Sequence, residues 1–201
     1  GTPYAAMQRS RAPLRIIFQL SKLKFFPVTT SAYSSLKDMD GEPILLHSRG
    51  GGTDSIANVI ENRVGIKFGD RSYVSGSSNR VAALLGGRAD ATIIDLSNKN
   101  KLMRSEAAGN FNVLEMFDVD ASDEALFGNL DWIKENEKDV AIFVNALVST
   151  WQDMHDDPTI IRRETNPDGP IGQLPDEILA ELDGFYADAV AGGLYDPNGG
   201  G

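Results

Sequence analysis

The apolar positions of this chain change rhythm partway along it. Up to about residue 117 they come as short, often β-branched runs separated by turn residues, and from residue 135 onward they recur with the spacing of a helix face. Residues 3–10 read as the end of a helix packed through Tyr4, Ala5 and Met7 and broken at Pro13. Residues 14–18 are a strand. Residues 25–30 are extended, with Pro27 favouring a sheet edge or a bend, because proline has no N–H to give to a ladder. Residues 35–41 form a turn with one helical twist. Residues 43–47 are a continuous apolar run, as expected of a buried parallel strand.

Small residues punctuate the chain beyond this run. Residues 48–52 make a loop, and Thr53 or Asp54 caps a helix carrying Ile56, Val59, Ile60 and Val64 and ended by Gly65. Residues 71–74 are a second strand and 75–78 a second small-residue loop. A helix with Val81, Ala82, Leu84 and Leu85 is stopped by Gly86 and Gly87. Residues 89–94 and 112–117 are further strands. Strand, helix, strand, helix, strand predicts an α/β layer. The last part is helical. Residues 135–155 carry Val140, Ile142, Phe143, Ala146, Leu147, Trp151 and Met154, a shorter helix covers 159–164, and Pro175 opens another with Ile178, Leu179, Leu182, Phe185 and Val190. Trp132 and Trp151 are read as core packing, and the tail from Asp196 as frayed.

The 201 residues suit one domain or two small lobes, and 41% apolar residues are enough for a core. The net charge of −10 repels a phosphate backbone, and no long basic run offsets it, so nucleic acid is not an expected partner. With no cysteine there is no disulfide framework, thiolate metal site or cysteine nucleophile. No apolar run is long enough to span a membrane. The residues from Gly1 onward have no signal-peptide pattern and begin mid-pattern, so the chain is expected to be an excised, mature or incomplete segment. His47 and His155 lack metal-ligand spacing, and Asp153, His155, Asp156 and Asp157 read as a solvated helix end, so neither metal nor cofactor is expected.

Two loops carry the candidate chemistry. In Ser48, Arg49, Gly50, Gly51, Gly52 and Thr53, three glycines let backbone N–H groups approach a ligand at a helix N-terminus, which favours an anion. Arg49 adds a charge-assisted donor, and Ser48 and Thr53 add hydroxyls. The competing reading is a plain strand-to-helix turn capped by Thr53. Ser77 and Asn79 sit in the equivalent loop after the next strand, where Ser77 or Ser78 is alternatively a helix cap. The two loops are neighbours if strands 44–47 and 71–74 pair in parallel. Asp95 either accepts from a ligand or caps the next helix. His47 is a ligand contact or a structural histidine at a strand end.

Three segments carry a family resemblance. The run Ser35-Leu36-Lys37-Asp38-Met39-Asp40-Gly41 into residues 42–46 resembles a hinge segment of periplasmic solute-binding proteins. Gly51-Gly52-Thr53 opening a helix that closes at Val64-Gly65-Ile66 is similar to their next element. Val81-Ala82-Ala83-Leu84-Leu85-Gly86-Gly87-Arg88-Ala89-Asp90-Ala91 resembles their glycine-aspartate signature. Residues 131–158 resemble the helical stretch of the nitrate/taurine branch. Together these resemble the sulfonate/nitrate/taurine/thiamine-precursor solute-binding proteins of ABC importers.

That resemblance implies a type 2 periplasmic-binding-protein-like α/β fold with two lobes closing on a ligand in the cleft between them, like a Venus flytrap. It places lobe two at residues 44–118 and lobe one at residues 1–43 and 119–201, with the family's first strand, helix and ligand loop falling ahead of Gly1 and the first lobe incomplete. The implied ligand is a small anion (sulfonate, nitrate or carboxylate) or a pyrimidine-type thiamine precursor. The implied partner is a membrane permease, and the implied location is periplasmic or extracellular, with export of the full-length parent by a signal peptide or lipid anchor. An unpaired sheet edge in an incomplete lobe predicts self-association. Two other classes share the architecture: effector domains of LysR-type regulators, and thiamine-pyrimidine synthases. The synthases rely on an active-site histidine and a cysteine-rich motif, and the absence of cysteine argues against them.

Overall fold

A computed structural model describes residues 2–117, 119, 122–194 and 196. In chain order the strands are β1 (Leu14–Lys22), β2 (Phe25–Thr30), β3 (Ile44–Leu46), β4 (Arg71–Tyr73), β5 (Ala91–Asp95), β6 (Phe111–Val113) and β7 (Ser122–Asn129). The helices are α1 (Thr2–Ser10), α2 (Gly52–Ile60), α3 (Ser77–Leu85), α4 (Leu96–Arg104), α5 (Leu130–Glu135), α6 (Glu137–Asp156), α7 (Ile160–Glu164) and α8 (Asp176–Ala191). The chain divides into two compact units. Unit one is Lys24–Val119, and unit two combines Thr2–Leu23 with Asp120–Gly201.

Unit one is built on a five-stranded sheet of order β4-β3-β5-β2-β6. β3 is parallel to β4 and β5, and β2 is antiparallel to β5 and β6. The apolar run at residues 43–47 is thus an interior parallel strand, and all three residues of β3 are buried. Val28, Leu84, Ile94, Leu102 and Phe111 form one buried cluster, which joins α3 and α4 to β2, β5 and β6. The unit begins at Lys24, and Phe25–Thr30 belongs to its sheet because it pairs with β5 and β6.

Pro27 lies on an interior strand instead of an edge. It is tolerated there because it sits just past the last pair of the short β6, where Leu114 N–H donates to Pro27 O at 2.9 Å and no N–H is needed in return. The predicted strand 112–117 is shorter and earlier, ending at Val113.

Gly69 was not singled out by the sequence. Its N–H donates to Glu42 O at 2.8 Å, and Gly41 N–H donates to Lys67 O at 2.7 Å, which clamps the entry to β3 against the entry to β4. A Cβ at Gly69 would lie 2.3 Å from Gly41 O, a backbone atom that cannot turn aside. Gly69→Ala is therefore expected to cost about 2–3 kcal/mol of stability. A denaturant melt showing no loss would mean that this clamp yields freely.

Unit two contains a two-stranded antiparallel sheet, β1 with β7, whose register shifts along its length. Trp151 packs as expected, with its ring edge-on to Phe18 at 6.0 Å and Nε1 donating to Leu20 O at 2.7 Å. Trp132 does not. It is 55% exposed and borders a mostly apolar cavity of about 380 Å³ with Ile17, Phe127 and Phe143. No described helix is long and apolar enough to cross a membrane.

Candidate functional site

The parallel pairing of β3 with β4 and β5 brings three carboxyl strand ends side by side. α2 links β3 to β4 on one side of β3, while α3 carries the chain back across to β5 on the other. Connections therefore diverge at the ends of β3 and β5, the position at which open α/β sheets form ligand crevices. Residues 47–53, 75–79 and Asp95 are all gathered there.

The first loop turns on Gly50, whose φ of +71° is costly for any side chain. Gly51 N–H donates to Ser48 O at 3.1 Å, and Gly51 is the N-cap of α2 without a side-chain cap bond. Neither Thr53 nor Asp54 is the cap that the sequence predicts. The helix starts earlier, at Gly52, which places both residues inside its first turn. Thr53 is buried, its hydroxyl accepting from His47 N–H at 2.9 Å, so it braces the loop from below. Asp54 Oδ2 accepts from Gly50 N–H at 2.8 Å. One amide of the glycine loop is thus already held by an internal carboxylate. Arg49, Gly50 and Gly52 are exposed and Ser48 is half-buried. The Arg49 guanidinium lies 5.7 Å from the centre of the Tyr73 ring, which directs it across the β3–β4 ends.

The second loop is tied to the first. Gly76 N–H donates to His47 Nδ1 at 3.2 Å, an acceptor role that places the proton of the neutral ring on Nε2. Gly76, at φ +83°, is the N-cap of α3, so neither Ser77 nor Ser78 caps it. Asn79 Nδ2 donates to Ser75 O at 2.9 Å and closes the loop on itself. Ser77 Oγ accepts from Arg80 Nη2 at 2.9 Å and hydrogen-bonds Asp95. Its proton is therefore engaged within the protein. Asp95 is the N-cap of α4, accepting from Asn98 N–H at 2.9 Å.

The sequence reading missed two arginines. Arg80 is 1% exposed beneath the second loop. Its signal was legible: it stands three and four positions before Ala83 and Leu84, on the buried stripe of α3. Arg71 on β4 donates from Nη1 to Asp54 Oδ1 at 2.7 Å and pairs through Nη2 with Glu61 Oε1 at 2.9 Å. Nothing local marks Arg71, since its partners come from α2 and the turn after it.

Burial pushes Asp54, Glu61 and Asp95 upward, but hydrogen bonds and charge outweigh it and hold all three below the usual carboxylate range. For Asp54 these are Gly50 N–H and Arg71. For Glu61 they are Lys67, Arg71 and Phe68 N–H. For Asp95 they are Asn98 and Ser77. A carboxylate whose folded pKa is depressed adds stability above its unfolded pKa and loses it as pH falls through the folded value. Unfolding midpoints are expected to stay level from neutral pH to about pH 5 and to fall below about pH 4. Stability that rises on acidification through that window would contradict the assignment.

This fold is periplasmic-binding-protein-like. The chain belongs to the NMT1/THI5-like family, whose model matches residues 5–160. Solved structures that resemble it include the following three. A protein from Bordetella bronchiseptica RB50 is 16% identical at TM-score 0.68, covering 96% of this chain and 64% of its own. The alkanesulfonate-binding protein SsuA from Xanthomonas axonopodis pv. citri, bound to MOPS, is 14% identical at TM-score 0.65, with coverages of 94% and 63%. A putative periplasmic sulfonate-binding protein SsuA from Methylobacillus flagellatus KT is 19% identical at TM-score 0.61, with coverages of 95% and 64%. This chain thus spans less than two thirds of their length. No curated protein sequence matches it.

Proposed function

We propose that this chain captures a small anion for an ABC importer, with the ligand held at the carboxyl ends of β3, β4 and β5. The observation that carries this reading is the convergence of two glycine-turned loops, joined through His47 and Gly76, at the point where the sheet connections diverge. Arg49 supplies an exposed positive charge, and the first-turn N–H groups of α2 supply backbone donors. Ser48, Gly51, Gly52 and Asn79 complete the proposed contact surface, with His47 offering Nε2–H. Thr53, Ser77 and Asp95 serve it from behind. Unit one corresponds to one lobe of the proposed binding protein and unit two to the other, with a membrane permease as partner and a periplasmic or extracellular location. The role is binding, not catalysis.

Calorimetric titration with MOPS, taurine, sulfate and nitrate tests the reading, with a pyrimidine as the heterocycle arm. At least one anion is expected to bind, and Arg49→Ala to weaken it by about tenfold. Absence of binding or thermal stabilisation by every compound would overturn it.

Within unit two, β1 and β7 pair only with each other among the described residues. Sheets this small are marginal alone, and open edges invite further strands. We therefore propose that this chain self-associates. Light scattering that shows a monomer across the micromolar range would refute it.

A further inference from the structure

Arg80 is buried, and its guanidinium donates to four uncharged oxygens. Nε reaches Thr92 Oγ1 at 3.2 Å, Nη1 reaches Val74 O at 3.0 Å, and Nη2 reaches Ser77 Oγ and Ile93 O, both at 2.9 Å. Two of these oxygens lie on β5, one on Val74 just past β4 and one on Ser77, the first residue of α3. The negative charge of Asp95 acts on Arg80, and Ser77 stands between the two groups as acceptor from one and partner of the other. An apolar side chain on this stripe would fill the core at least as well, without the cost of desolvating a cation. What a guanidinium adds is a rigid fork of directed donors and a permanent charge.

We propose that Arg80 is the positioning residue of the ligand-side loops. It ties residues 74–77 to the end of β5, holds the Ser77 hydroxyl on Asp95, and sets a fixed positive charge behind the surface formed by His47, Gly76 and Asn79. The proposal rests on the reading of unit one as a small-anion site. Loss of the fork frees the second loop, and through the Gly76-to-His47 bond it unsettles the first.

The test compares the unaltered chain with Arg80→Lys, which keeps the charge without the fork, and Arg80→Met, which keeps neither. Amide hydrogen exchange is followed at residues 75–79 and, as core references outside the fork, at Val28 and Leu46, both fully buried. MOPS affinity is measured by calorimetry. In Arg80→Lys, residues 75–79 are expected to exchange faster by about tenfold while the references hold. MOPS binding is expected to weaken by about tenfold in the same variant and further in Arg80→Met. Loop exchange that is unchanged, or that rises only in step with the core, overturns the proposal and leaves Arg80 as a core staple. So does equal MOPS affinity in all three proteins. If the unaltered chain binds no MOPS, the anion reading has failed for this probe, and the exchange comparison still decides the positioning role. If both variants fail to unfold cooperatively, Ser77→Ala removes one acceptor of the fork without touching the core. Faster exchange confined to residues 75–79 then supports the proposal, and none refutes it.

Discussion

Replacing Arg71 by alanine is expected to lower the unfolding free energy by about 3 kcal/mol at neutral pH. The Arg71 side chain is 20% exposed and faces Asp54 and Glu61, whose side chains are 10% and 8% exposed. It also donates to Asn58 Oδ1 at 2.8 Å. Without it, Asp54 keeps its bonds to Gly50 N–H and the Tyr73 hydroxyl, and Glu61 keeps Lys67 and Phe68 N–H, but both carboxylates lose their most sheltered counter-charge. Desolvation then governs, and their pKa values rise. The deficit against the parent protein should therefore narrow on acidification, as the variant's carboxylates take up protons first. Urea titrations at several pH values measure both effects. Combining Arg71→Met with Asp54→Asn and Glu61→Gln should recover much of the loss, because no buried charge is then left alone. A deficit below about 1 kcal/mol would place the cluster with solvated surface pairs.

Truncating Leu46 to alanine is expected to cost about 3 kcal/mol. Leu46 is fully buried on β3, between β4 and β5, and its carbonyl accepts from Val74 N–H at 2.7 Å. The sheet cannot collapse around the space left behind, because β3 is fixed on both sides. Leu46→Met, close in volume, should cost less than about 1.5 kcal/mol. Thermal and urea melts distinguish the two, and equal losses would show that side-chain shape outweighs cavity formation here.

Elements whose burial is the same along their whole length were legible in advance. β3 read as an unbroken apolar run because all three of its residues are buried in the interior of the sheet. The helical rhythm of residues 135–155 likewise recurs in α6. β7 left no such trace. It opens on Ser122, Asp123 and Glu124, ends at Gly128 and Asn129, and is largely exposed, so neither alternation nor β-branching marks it. It is a strand because β1 supplies its partner. Pro27 misled for the opposite reason. A local rule about proline was correct, but the length of β6 decided which side of β2 needed a donor.

The candidate site divides the same way. Spacing alone placed loops rich in glycine and serine after successive strands and made them neighbours on condition of parallel pairing, and that pairing is present. The roles of the side chains within them depended on partners distant in sequence. Thr53 turns inward to His47, Asp54 answers Arg71, and Ser77 is held between Arg80 and Asp95. By itself the sequence determined the α/β class, the order of strands and helices from β1 to β5 and the family resemblance, because periodicity and turn chemistry are local. Only the tertiary structure decided which polar groups face solvent and which are already satisfied, because a hydrogen bond is assigned by distance in space. The glycine loop thus presents fewer free donors than its residues suggest, and Arg71 and Arg80 find their partners on elements distant in sequence.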